Sequence, residues 1–131
     1  MKRQLTFSII ILMLVGVMFA QQPPTGAPPI KPPEIKADGS VIFRLAAPNA
    51  RTVLVRNTTG GWAEWPQGND LAMSKDDQGI WSITVGPVKP EFYTYTFVVD
   101  GVQALDLRNP LVSRDGSRYS SSLRISGEKT D

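Results

Sequence analysis

After residue 20, no stretch of this chain keeps apolar residues at helical spacing for three turns. Apolar residues recur instead at every second position, in short runs ended by glycine, proline or aspartate. Val41, Phe43 and Leu45 alternate with Ile42 and Arg44, after the turn signal Asp38-Gly39 and before Pro48-Asn49-Ala50. Val53 and Val55 share one face of the next run. A Gly-rich loop then carries Trp62, Trp65, Pro66 and Gly68, and Leu71 to Ser74 reads as a short strand. Asp76-Asp77-Gln78-Gly79 is a turn into Trp81, Ile83 and Val85, which alternate with Ser82 and Thr84. The longest run is Phe92 to Val99. Its Tyr95, Phe97 and Val99 share one face, and Tyr93 shares that face at the strand start, within reach of solvent. Asp100-Gly101 is a hairpin signal into a strand near Val102 to Leu107. Ser121 to Ser126 is a last strand with Leu123 and Ile125 inward. Six to eight short strands at intervals of about ten residues predict an all-β fold, an antiparallel β-sandwich.

The first residues have a different texture. Met1-Lys2-Arg3 is a short positive segment, Leu5 to Phe19 is almost wholly apolar, and Ala20 precedes polar Gln21-Gln22. That order is the pattern of a signal peptide over residues 1–20, and it predicts a secreted or periplasmic product. Met18 leaves the exact cleavage site open, and an uncleaved N-terminal anchor is the competing reading. The apolar run is short for a membrane span, which needs about 20 residues. Residues 21–33 hold six of the chain's 11 prolines. Proline donates no ladder hydrogen bond and favours extended backbone, so this is a Pro-rich linker. The folded module is expected over residues 34–127. Residues 128–131 read as the start of a linker to a domain absent from this chain.

Composition excludes several chemistries. The 131 residues include no Cys and no His. There is therefore no disulfide framework, no Cys or His zinc site, no Ser-His-Asp triad and no imidazole base. Removal of Lys2 and Arg3 with residues 1–20 lowers the 14 basic residues to 12, against 12 acidic ones. A chain of zero net charge has no general electrostatic reason to bind nucleic acid or an anionic membrane. Asp38, Asp76, Asp77 and Asp100 lack the spacing of an oxygen-ligand calcium loop, so no metal is expected. Asp76 and Asp77 are adjacent in a turn and read as solvated acids rather than a glycosidase pair. Asp106 reads as a turn-fixing residue that bonds local backbone amides. The sequence calls for no cofactor.

Three motifs occur in order: Gly79-Ile80-Trp81, then Tyr93-Thr94-Tyr95-Thr96-Phe97-Val98-Val99-Asp100-Gly101, then Asp106-Leu107-Arg108-Asn109-Pro110. Together they resemble the early-set immunoglobulin-like domain of the glycogen-binding type, carbohydrate-binding module family 48. The upstream piece from Asp38 to Ala50 is similar to the N-terminal module of secreted bacterial esterases of the esterase D and feruloyl esterase type. The resemblance covers about residues 34–127. It implies an early-set, immunoglobulin-like sandwich that serves as a non-catalytic accessory module of a carbohydrate esterase and binds or presents plant polysaccharide such as xylan. It equally implies a structural domain that packs on an α/β-hydrolase domain, encoded separately or lost. No Gly-x-Ser-x-Gly nucleophile elbow occurs in the chain, so no enzymatic activity of its own is expected.

The resemblance also indicates where a ligand would lie. Starch-binding members carry a Trp just after the Val-Asp-Gly turn, where this chain has Gln103, and a Lys in the preceding strand, where it has Thr96. Their late Asn corresponds to Ser120 or Ser121, and the first Pro of their Asp-Pro-x-Asn-Pro turn is Leu107. A sugar ring stacks its apolar face on an exposed aromatic while polar groups bond its hydroxyls. Trp62 and Trp65, in the Gly-rich loop, are stacking candidates, with packing over the core as the alternative for each. Tyr119, in a Ser-rich stretch, and Gln103 complete the candidate set. Trp81, in phase with Ile83 and Val85, reads as core.

Overall fold

The computed structural model describes residues 29–60 and 64–127. Ten strands form in chain order: β1 Glu34–Ile35, β2 Val41–Ala46, β3 Val53–Asn57, β4 Asp70–Ala72, β5 Ser74–Lys75, β6 Ile80–Val85, β7 Phe92–Val99, β8 Val102–Ala104, β9 Val112–Asp115 and β10 Arg118–Arg124. One sheet has the order β1-β2-β6-β5 and the other β4-β3-β7-β10-β9, with β8 also paired to β7. All pairs are antiparallel. Strands one, two and the sixth lie together in one sheet, with three, seven and ten in the other. This is the arrangement of an immunoglobulin-like sandwich.

The alternation read from the sequence sets the two inner faces. Val41 and Phe43 of β2, Trp81 and Val85 of β6, Val53 and Val55 of β3, and Tyr95 and Phe97 of β7 are all buried in one cluster with Leu123 and Ile125. The ring of Phe43 meets Tyr95 edge-on at 4.8 Å, and Tyr95 meets Phe97 at 5.9 Å. Edge-to-face contacts of this kind bring the positive ring edge to a negative face. Tyr93 differs from the reading that put it near solvent. It is 1% exposed, and its hydroxyl donates to the Lys89 carbonyl at 3.1 Å. Leu123 is its partner across the ladder, which continues the covered face to the end of β7.

Two elements differ from the sequence reading. The single strand expected over Leu71 to Ser74 is two strands in different sheets. β4 pairs with β3 and β5 with β6. The chain crosses between the layers at Met73, which is buried and donates its N–H to the Val53 carbonyl at 2.9 Å. The strand after Asp100-Gly101 ends at Ala104, and β9 pairs in a hairpin with β10, which begins at Arg118.

Gly79 shows why the Gly-Ile-Trp motif needs its glycine. Its φ is +79°, and a Cβ there would lie 2.6 Å from Pro48 Cβ. The Gly79 carbonyl accepts the Ala47 N–H at 3.1 Å, and the Trp81 indole donates to the Ala47 carbonyl at 2.9 Å. The close approach joins the end of β2 to the start of β6.

Candidate functional site

The second edge of β7 is divided. β10 pairs with it along Phe92 to Tyr95, and β8 along Phe97 to Val99. Thr96 lies at the division. Beyond Ser121 the N-terminal half of β10 pairs with β9 instead. A cleft of about 290 Å³ opens between β8 and β10, lined by Thr96, Gln103, Leu105, Ser117, Arg118 and Tyr119 among others. It shares Gln103, Arg118 and Tyr119 with a larger groove of about 520 Å³ that reaches Thr58, Thr94 and Phe92.

Hydroxyl groups line this groove. Thr58 Oγ1 lies 2.9 Å from Thr94 Oγ1 and 3.0 Å from Ser120 Oγ, which links the end of β3 to β7 and β10. Thr59 Oγ1 accepts the Thr94 N–H at 2.8 Å. Thr96 Oγ1 is buried with no hydrogen-bond partner. At one side Arg56 grips Asp70 with two bonds of 2.7 Å. The bidentate hydrogen bonds and the opposite charge hold the Asp70 carboxyl below its ordinary range and raise the Arg56 guanidinium. Tyr119 is 54% exposed, with the Arg114 guanidinium carbon 5.7 Å from its ring centre.

Gln103 and Tyr119, picked out from the sequence, therefore meet in one groove. Trp62 lies outside the described residues. Trp65 is a correction. It is 2% exposed and its ring centre lies 5.4 Å from that of Phe43, so it offers no face to a sugar. Its position in a Gly- and Pro-rich loop beside Pro66 admits either stacking or packing, and the loop folds this ring into the core. Thr58, Thr59, Thr94, Phe92 and Arg118 were missed by sequence reasoning. Thr94 carried a signal, because it alternates with the inward Tyr93 and Tyr95 and so faces out. The others reach the groove only through the pairing of β3, β7, β9 and β10.

A buried polar network holds the loop between β8 and β9. The Tyr95 hydroxyl donates to Asp106 Oδ2 at 2.7 Å and accepts from Asn109 Nδ2 at 3.1 Å. Asn109 Nδ2 also donates to the Ser122 carbonyl at 2.7 Å, and the Asp106 N–H to Ser121 Oγ at 2.9 Å. Asp106 Oδ1 accepts the Arg108 N–H at 3.0 Å, which closes the turn. Burial pushes the Tyr95 phenol far up, so it remains a protonated donor. Asp38, Asp76 and Asp100 likewise accept backbone N–H groups of nearby turns. In each of them Oδ1 is committed to structure.

No family model matches the chain. The endo-1,4-beta-xylanase/feruloyl esterase of Xylanibacter ruminicola is 33% identical over 79 residues. The match covers 60% of this chain and 10% of that protein. Among solved structures, a chain named as an α-amylase from Salmonella typhimurium superposes with a TM-score of 0.56 at 24% identity. It covers 75% of this chain, which spans 15% of it. That second likeness is one of fold. Both proteins are far longer than the part of them that matches this chain.

Proposed function

We propose that the chain is a non-catalytic accessory module of a carbohydrate-active enzyme, and that it holds polysaccharide in the groove between β7, β8 and β10. The observation that carries this reading is the placement of Gln103 and the exposed Phe92 ring, in phase with Thr94 on β7, beside the hydroxyls of Thr58, Thr94 and Ser120. A stacking ring next to hydroxyl and amide donors is what a sugar face and its hydroxyls require. The partial match to a xylanase/feruloyl esterase points to plant cell-wall polysaccharide as the ligand class. Residues 1–20 serve in this reading as an export signal, and the module acts outside the cytoplasm.

Retention on insoluble xylan, cellulose and starch tests the proposal. The chain is expected to bind xylan, and Phe92→Ala to weaken binding by about three- to tenfold, the worth of one aromatic contact. No retention on any of the three, with the fold intact by circular dichroism, contradicts it.

A second reading, docking on a hydrolase domain, has its own observation. Leu107 is 91% exposed, and Leu111 and Val112, a few residues further along the chain, are exposed as well. Exposed apolar residues close together in the chain suit a protein contact. In that reading Leu107→Asp abolishes co-migration with a feruloyl esterase domain in size-exclusion chromatography and leaves thermal stability unchanged. Unchanged co-migration of the variant, or none with the parent chain, removes the reading.

A further inference from the structure

The cleft at Thr96 lies to the side of the groove and not at its end. Tyr93, Tyr95 and Phe97 fill the core, so Phe92, Thr94, Thr96 and Val98 share the outer face of β7. Phe92 and Thr94 line the groove, and so does Gln103, which stands opposite Val98. The groove therefore follows β7 from Phe92 to the level of Val98, about 20 Å of strand. The cleft enters at Thr96, between these two levels, where β10 and β8 part on one edge of β7. Gln103 and Arg118 belong to both cavities.

The lining of the cleft says what it can hold. Thr96 is 3% exposed, its side chain forms part of the cleft wall, and among the described residues its Oγ1 has no hydrogen-bond partner. A buried hydroxyl without a partner costs free energy, which is recovered when a ligand hydroxyl meets it. The Gln103 amide and the Ser117 hydroxyl line the same cleft, beside apolar Ala104 and Leu105. No unmatched charge accompanies them. Arg118 stands opposite Asp115 across the β9–β10 hairpin, and Arg56, on the other side of the groove, is paired with Asp70. The site therefore suits a neutral group that carries several hydroxyls.

We infer that the cleft receives a single neutral sugar branching from a main chain held in the groove, so that the module prefers a substituted glycan to a linear one. The inference rests on the carbohydrate-binding reading above and names the ligand class for the same groove. The main chain lies along β7, with one ring against Phe92 and its hydroxyls toward Thr58, Thr94 and Ser120. The branch enters between β8 and β10 and brings a hydroxyl to Thr96 Oγ1. The volume of about 290 Å³ has room for one sugar ring, and a methyl or acetyl branch fills little of it.

The test compares one oligosaccharide with and without its branch. Isothermal titration calorimetry is run with linear xylopentaose and with the same pentasaccharide bearing one arabinofuranosyl group on its central ring, against the parent chain, Thr96→Val and Thr96→Ser. The parent is expected to bind the branched form about fivefold more tightly, the worth of one net hydrogen bond. Thr96→Val is expected to lose most of that preference, to bind the linear form as the parent does, and to melt no lower than the parent. Thr96→Ser retains the hydroxyl and is expected to retain the preference. Equal affinity of the parent for the two forms, or weaker binding of the branched one, overturns the inference and leaves the carbohydrate reading standing. A preference that survives intact in Thr96→Val, or an equal loss on both forms, overturns the placement of the branch at Thr96. Binding of neither form by the parent overturns the carbohydrate reading itself.

Discussion

Asp100 does two jobs with one carboxylate. It occupies the first position of the β7–β8 turn with a φ of +48°, followed by Gly101 at +86°, the pairing that matches strand twist in a two-residue hairpin. Its Oδ1 also accepts the N–H groups of Arg51 and Thr52, each at 2.9 Å. Those backbone bonds lower its pKa, as bonds from Ser40 lower that of Asp38 and bonds from Arg56 lower that of Asp70. A carboxylate with a depressed folded pKa stabilises the fold above its unfolded value and loses that contribution as pH falls through the folded pKa. The urea midpoint should therefore fall on acidification below about pH 4. Asp100→Asn should have a lower midpoint at neutral pH and a shallower fall in acid, and an acid limb as steep as the parent's contradicts this assignment. The Tyr95 hydroxyl makes a second residue-level case. Tyr95→Phe leaves Asp106 Oδ2 without its donor and Asn109 Nδ2 with only the Ser122 carbonyl, and urea unfolding should show a loss of about 1–3 kcal/mol. A loss near zero would mean that the network closes without it.

At the scale of the element, the divided edge of β7 both creates the cleft and leaves a defect. Thr96 sits where neither β8 nor β10 is in register, and its hydroxyl is buried and unpartnered. Thr96→Val keeps the shape and removes a buried polar group, so stability should be unchanged or rise by up to about 1 kcal/mol. A clear loss in thermal unfolding would show that the hydroxyl has a partner after all. Gly79 constrains the β2–β6 joint from the other sheet. Gly79→Ala must place a methyl group against Pro48 at a left-handed φ, and differential scanning should show destabilisation of about 1–3 kcal/mol.

These elements also show what the sequence could carry. β2, β6 and β7 bury one face deeply, so alternation marks them plainly, and the paired turn residues Asp100-Gly101 mark the hairpin. β4 and β5 were read as one strand because the change of sheet at Met73 is a matter of which neighbour lies alongside, and no local pattern encodes that. β9, Val112-Ser113-Arg114-Asp115, is a sheet edge with no residue fully buried, so it has no alternation to read. Of the site, Gln103 and Tyr119 could be picked out as single polar or aromatic residues. The hydroxyls of Thr58, Thr94 and Ser120 are far apart in the chain and meet only because β3, β7 and β10 are adjacent. Trp65 stays open between stacking and packing in the sequence because the composition of a loop does not say which side chain the core beneath it will accept.

On the scale of the whole molecule, the two sheets have different tasks. The β1-β2-β6-β5 sheet supplies half the core. The other sheet supplies the rest of the core inside and a groove of hydroxyls with the exposed Phe92 ring outside. A long enzyme can carry such a module without asking it for chemistry, and the partial matches to much longer proteins fit that arrangement. The most direct test of the account is amide chemical-shift mapping of the isotope-labelled chain titrated with a xylo-oligosaccharide. The account predicts saturable shifts at Thr58, Thr94, Gln103, Arg118, Tyr119 and Ser120. Shifts confined to β1, β2 and β6, or none at millimolar ligand, would contradict it.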